Sequence, residues 1–369
     1  MLAARDAAEG GGPADATQLA VSPATLDMRV HFVCPDERVW PELRNDGSDA
    51  IDGARMSKLS GGILNSWLMR TCYHLRQAGV PASIGPEPRR DAVNFVSVRD
   101  FGRSQRPLDA FLLVPCGDAH RSMLADFRIF QNGVRRAGRD GATIWHWPQP
   151  GIVPRDPARG ETLHVLGYKG RLLNLDAGFR SDAFVAALAD LGVTLELDAF
   201  DGLLGAHDWN DYSGCDAVLA VRNLTHHDAA KKPASKLVNA WFAEVPAILG
   251  PEPAYRELRK GPLDYIEVTS PAEAVAAVKR LQQDAGLFRA MVENGRRRRR
   301  DFTEERLTAL WLQTLAGPVA AAFRTWQSRP APLRAARALA GLVAEAPARR
   351  LDRWRVRNGA RLLPPSPQT

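Results

Sequence analysis

"KKPASKLVNAWFAEVPAILG", residues 231–250, decides how the second half of this chain folds. Pro233 and Ser235 are residue types that open helices. At about 100° per residue, Leu237, Val238, Trp241, Phe242 and Val245 share one arc, and Lys236, Asn239, Ala240 and Ala243 share the other. The first arc is a core face. The second is small rather than solvated, with one cation at the helix start and one amide a turn later. The aliphatic run that follows reads as a strand, stopped by Gly-Pro-Glu-Pro at 250–253.

Outward from this stretch the pattern repeats. Upstream, "TLHVLG" (162–167), "VTLELDAF" (193–200) and "DAVLAVRN" (216–223) read as strands, with the helix "SDAFVAALADLG" (181–192) between the first two. Downstream come the short helix "PAYRELR" (253–259), the strand "DYIEVT" (264–269) and the helix "SPAEAVAAVKRLQQD" (270–284). Strands alternating with helices predict βαβ units on a parallel sheet. Continuous apolar strands fit a sheet covered on both faces. The N-terminal half has the same character: strands at "MRVHFVCP" (28–35), "AVNFVSV" (92–98) and "AFLLVP" (110–115), and a helix over "ILNSWLMRTCYHLRQAG" (63–79). The Trp- and Pro-rich "ATIWHWPQPGIVPRDP" (142–157) marks a seam between Pro148 and Arg159.

Composition agrees. At roughly 100–200 residues per domain, 369 residues make about two. No apolar run reaches membrane-spanning length. The N-terminus lacks the basic start and apolar block of a secretory signal. Cys34, Cys72, Cys116 and Cys215 have no metal-ligand spacing and are expected as reduced, buried thiols. The expected architecture is α/β: two Rossmann-like domains facing a central cleft. The divisions are a disordered lead-in (1–25), an N-terminal domain (26–150), a C-terminal domain (151–323) and a basic tail (324–369).

Ligands of open α/β sheets bind beyond the carboxyl ends of the strands. Three places there attract attention. Lys236 at a helix start, with free N–H groups beside it, suits an anion. "GYKGR" (167–171) reads as a loop whose glycines allow close backbone approach, with Lys169 and Arg171 able to reach a phosphate. It matches neither the dinucleotide fingerprint nor the Walker loop. Arg222 ends a strand and can take a phosphate bidentately. His226, His227 and Asp228 follow, but adjacent histidines on a loop point apart, so no metal is expected.

Arg222 to Leu258 resembles the donor-binding segment of the GT-B glycosyltransferases. Their Pro-x-x-Lys start and following helix are matched by Pro233-Ala-Ser-Lys236, Asn239 and Pro246-Ala-Ile248. "HDWNDYSGCDAVLAVRN" (207–223) resembles the preceding helix and strand. The resemblance implies a nucleotide-sugar donor, with Lys236 on its diphosphate and Asn239 facing the sugar or ribose. It places Glu252 and Tyr255 near nucleotide or sugar, and Lys169 and Arg171 over the phosphates; Gly167, Gly170 and Arg222 join them as donor-site candidates from the loop reading above. The sequence departs from the family's Glu-x7-Glu pattern: Lys231 and Asn239 stand at those positions, and Glu244 stands where a glycine often closes the helix. The N-terminal half would hold the acceptor, with loops at Asp36-Glu37 and Ser60-Gly61-Gly62. An inverting enzyme would draw its base from Asp36, Glu37, Asp118 or His120.

The formal net charge of +7 is uneven. From Arg324 to Thr369 there are ten arginines and two acids, Glu345 and Asp352, so the tail carries +8 and the rest −1. A near-neutral body argues against a nucleic-acid binder. Five consecutive arginines, 296–300, sweep a full helical turn, so at least one must lean inward. The tail reads either as a weakly amphipathic basic segment for anionic lipid or as a disordered end. The expected protein is a cytoplasmic, membrane-peripheral, metal-independent hexosyltransferase without a cofactor, acting on a cell-envelope glycan or lipid-linked precursor. The alternatives are a catalytically silent nucleotide-binding scaffold and a nucleotide-sugar epimerase.

Overall fold

The computed structural model describes residues 26–44, 62–97, 99, 107–135, 138–199 and 209–363. The lead-in expected over 1–25, the Asp46-Gly47 turn and most of the Ser60-Gly61-Gly62 loop lie outside the described residues.

Two parallel sheets form the frame. The first contains β1 (Arg29–Val33), β2 (Ser83–Gly85), β3 (Ala92–Phe95), β4 (Phe111–Pro115), β5 (Phe127–Phe130) and β6 (Gly141–Thr143), in the order β2-β1-β3-β4-β5-β6. The second contains β7 (Val165–Gly170), β8 (Thr194–Ala199), β9 (Ala217–Ala220), β10 (Ala247–Leu249) and β11 (Ile266–Glu267), in the order β11-β10-β9-β7-β8. Strand order reverses between β1 and β3 in one sheet and between β7 and β9 in the other. Those switch points are where such sheets leave a crevice at their carboxyl edge.

The apolar runs do what their continuity predicts. In β4, Phe111 and Leu113 enter one core while Leu112 and Val114 enter another on the opposite face, the alternation of a strand covered on both sides. In β9, Leu219 and Val218 divide between two cores in the same way.

The helices are α1 (Pro41–Arg44), α2 (Arg70–Gln77, preceded by a π-helical turn at Leu64–Met69), α3 (Asp182–Ala189), α4 (His226–Ala229), α5 (Ser235–Ala243), α6 (Pro253–Leu258), α7 (Pro271–Gln283), α8 (Ala285–Arg298), α9 (Glu304–Thr314), α10 (Ala320–Gln327) and α11 (Ala331–Asn358). Helices α3 and α7 cover one face of the second sheet, and α5 and α6 the other.

The structure departs from the linear division of the chain in two places. Residues of α9 and α10 do not pack with the second sheet. Leu307, Trp311, Leu315, Phe323 and Trp326 close the core of the first. Trp311 meets Trp67 edge-on at 6.4 Å, and Phe323 meets Phe111 at 5.3 Å. The described part of the tail, residues 331–363, is mostly helical. It forms α11, 28 residues long, and its extension reaches the second core through Leu363.

The seam is a packed crossing. Arg70 is buried and donates to Pro148 O and, at 2.6 Å, to Glu304 Oε1. It thereby ties α2, the connector and α9 together. His74 stacks on Trp147 at 4.4 Å, and burial drives its pKa down to about 4, so it is neutral near pH 7. The four cysteines are buried and none forms a disulfide.

Candidate functional site

Helix α5 starts at the carboxyl edge of the second sheet, and no side chain caps its N-terminus. Its small arc is not an open face, as the wheel suggested. Ala240 and Ala243 are buried, and the connector runs across them, with Arg155 N donating to Ala243 O at 2.9 Å. Small side chains are what let the backbone approach. Asn239 is buried in the same contact and accepts from Gln149 N at 3.2 Å, so it faces the connector rather than a sugar. Helix α5 closes at Glu244, which takes the left-handed conformation and is held by Arg296 and Arg299. Among the five arginines, Arg298 leans inward onto Asp264 and the Trp241 ring.

"GYKGR" is not a loop. Strand β7 continues through Gly170, pairing with β8 to Ala199. Gly167 serves packing: a Cβ there would lie 2.5 Å from Cys215 Sγ. Lys169 is buried, ion-paired with Asp198 and set over the Tyr212 ring at 5.5 Å. Gly170 leaves close quarters for its neighbours: a Cβ there would lie 3.0 Å from the Tyr168 hydroxyl and 3.2 Å from Lys236 Nζ. Arg171 is exposed beyond the strand end.

Lys236 joins this group. Its Nζ donates to the Lys169 carbonyl and lies 5.6 Å over the Trp209 ring. It has no carboxylate partner of its own among the described residues. Burial lowers its pKa, Arg222 lowers it further, and it falls to about 7. One strand over, Arg222 forms two hydrogen bonds to the fully buried Glu252, with Nε to Oε1 at 2.7 Å. Burial works against the guanidinium charge, but Glu252 outweighs it and holds the pKa above the ordinary value. The buried Tyr255 ring packs on Tyr265, and its hydroxyl lies near Arg222 without a hydrogen bond. Lys169, Arg222, Lys236, Glu252 and Tyr255 are thus gathered at one carboxyl edge, where Asn239 and Gly167 are occupied by packing. Asp198, Trp209 and Tyr212 complete the cluster. None of the three was among the candidate ligands, because they come from β8 and the segment before β9.

The four base candidates are not brought together. Asp36 accepts from Arg38 Nε at 3.0 Å and Nη2 at 2.9 Å, and these bonds lower its pKa to about 2. Glu37 is exposed beside it. His120 is buried against Glu345 of α11 at 2.6 Å, which removes it from any cleft. Asp118 alone stands where the sheets meet: it accepts from Gln131 at 2.7 Å and from Lys232 at 3.2 Å. Burial raises its pKa, but Lys232 and Gln131 prevail and hold it below the carboxylate range. Nearby, Asn132 donates to Ala230 O and Lys232 O, and Gly133 N to Glu257. Loops after β4 and β5 therefore meet those after β9 and β10, carboxyl edge to carboxyl edge.

Among the described residues, no three His, Cys, Asp or Glu side chains gather closely enough to hold a metal. His227 pairs with Asp352 instead. No helix among them is long and apolar enough to cross a membrane.

No protein-family model matches the chain, and no curated protein matches it by sequence. Solved structures do resemble it. Anabaena HepE in complex with UDP and glucose is 12% identical over 78% of this chain and 99% of its own, at a TM-score of 0.46. AviGT4, a glycosyltransferase involved in avilamycin A biosynthesis, is 18% identical over 79% and 98%, at 0.45. Sucrose-phosphate synthase from Thermosynechococcus elongatus is 14% identical over 69% and 77%, at 0.44. Likenesses this distant carry no argument about chemistry, which rests on the residues themselves.

Proposed function

We propose that the chain is a GT-B-type glycosyltransferase that takes a sugar from a nucleoside-diphosphate donor. One observation carries this reading. At the carboxyl edge of the second sheet three cations, Lys169, Arg222 and Lys236, meet two carboxylates, Asp198 and Glu252. The unmatched charge is Lys236, in the first turn of an uncapped helix. Burial first, and Arg222 after it, lower its pKa, and an anion bound beside it would act in the opposite direction. A diphosphate supplies that anion, and the free N–H groups of α5 add their own attraction.

The same arrangement serves transfer. As the bond between sugar and diphosphate breaks, negative charge builds on the departing phosphate oxygen. Lys236 and the uncapped α5 N–H groups lie together at this edge, where they can stabilise that charge. In this reading they perform the charge neutralisation, and Asp118, at the meeting of the two sheets, is the carboxylate placed to face an acceptor. The protein works in the cytoplasm, against a membrane surface that holds its acceptor.

Thermal unfolding with UDP, GDP, dTDP, CMP or NAD tests the proposal in wild type and Lys236→Ala. A ligand at about 100 times its Kd stabilises by ~2.7 kcal/mol, which raises the midpoint by roughly 2–4 °C at this size. One nucleoside diphosphate should give that shift, and the variant should lose it. No shift with any diphosphate, or an undiminished shift in the variant, would sink the reading. Release of sugar to an acceptor, without interconversion of the free donor, separates transfer from epimerisation.

A further inference from the structure

We propose that α11 docks on an anionic lipid surface through its outward face. The helix is a strap laid over both sheets. Its inward side is fully committed. Ala338 is buried, and Gly341 lies so close to the Met123 backbone that a Cβ would come within 2.5 Å of its carbonyl. Glu345 accepts from His120 at 2.6 Å and from Met123 N at 2.7 Å. Asp352 takes Lys231 at 3.0 Å and His227 at 2.8 Å. The chain then adds a bridge between Thr225 and Arg361.

The opposite side has the reverse character. At about 100° per residue, Leu339, Val343 and Trp354 fall within roughly 60° of one another and opposite Glu345, with Leu333 and Leu351 at the margin. All five are exposed, Val343 at 76% and Trp354 at 61%. Water is a poor solvent for such a stripe. Glu345 and Asp352 are the only acids of α11, and both are turned inward to partners. Arg349, Arg350, Arg353, Arg355 and Arg357 are all exposed. The outward surface therefore offers aliphatic and indole groups among cations and no anion at all.

That pairing selects the partner. Arginines alone would suit a nucleic acid, but a phosphodiester backbone gains nothing from covering Leu339 and Val343. A lipid surface takes both: the stripe enters the headgroup boundary, Trp354 sits at its polar edge, and the guanidiniums meet lipid phosphates. This gives a face to the peripheral location proposed above. It is independent of the donor reading, because none of these side chains belongs to the Lys236 cluster.

The test is co-sedimentation of the full chain with vesicles of phosphatidylcholine alone or of phosphatidylcholine with phosphatidylglycerol, and, in parallel, binding to single-stranded RNA. The protein should bind only the anionic vesicles, and salt should weaken it. Arg350→Gln with Arg353→Gln should lower partitioning roughly fivefold per arginine. Val343→Ser with Trp354→Ser should lower it at least as far. The replaced side chains are exposed, so each variant should keep its unfolding midpoint and its nucleoside-diphosphate shift. Absence of binding to anionic vesicles, or equal binding to neutral ones, overturns the proposal. So does tight RNA binding that ignores Val343 and Trp354, or a dimer that the same pair of substitutions dissociates.

Discussion

Arg222 grips Glu252 through two parallel hydrogen bonds, joining the end of β9 to the start of α6 beneath the candidate donor site. The carboxylate is fully buried and the guanidinium nearly so. Removing one partner strands the other charge. Glu252→Ala should lower stability by about 3–5 kcal/mol in urea unfolding, because an unpaired buried cation remains. Replacing both residues with methionine should recover most of that loss and still remove nucleoside-diphosphate binding. A single alanine variant as stable as wild type would show that the pair is solvated.

Lys236 makes a pH prediction with a definite sign. Its folded pKa of about 7 lies below the ordinary lysine value of 10.5. Between those limits the unfolded chain binds a proton that the folded chain does not, so this group makes stability rise with pH from about 7 to about 10.5. Lys236→Met should therefore be more stable than wild type at pH 6, with the advantage shrinking above pH 7. A bound diphosphate restores the charge. Calorimetry at pH 8 in buffers of different ionisation heat should show proton uptake on binding, and at pH 6 much less. Equal uptake at both values would remove Lys236 from the anion site.

The alternating elements of the second half were legible because each is a local pattern of helix or strand period. The run 231–250 folds as helix then strand for that reason. What failed to show were relations between distant segments. "GYKGR" has turn composition, yet pairing with β8 holds it extended. The wheel of α5 showed a small arc but not the connector lying on it. Candidate ligands were legible as charges, and their state was not: the partners of Lys169, His120 and Arg222 lie 29, 225 and 30 positions away.

Trp311 illustrates the same point and yields a third prediction. Its sequence neighbours belong to the second half of the chain, but its ring is buried between Trp67 and Phe95 of the first. Trp311→Ala should cost about 3–5 kcal/mol. The loss should appear as early proteolysis among β1 to β6, and nucleoside-diphosphate protection of the second sheet should persist. Uniform loss of protection across both sheets would mean that they unfold as one unit.

Glu345 and Asp352 give the last prediction, through acid. Burial raises both carboxyl pKa values, but hydrogen bonds from His120 and Met123 in one case, and from His227 and Lys231 in the other, prevail and depress them. A depressed carboxylate contributes stability that is complete above its unfolded value, about 4, and is lost as pH falls through the folded one. Both contacts lie on α11, so the loss is local: the strap should loosen before either sheet unfolds. Trypsin is inactive at such pH values, so pepsin or hydrogen exchange must report the opening. Amides of residues 331–358 should lose protection below about pH 4 while β3 and β4 stay protected. Glu345→Gln with Asp352→Asn should show the loosened strap already at pH 7. If those amides open only together with the sheets, the strap is held by its apolar contacts and not by its two acids.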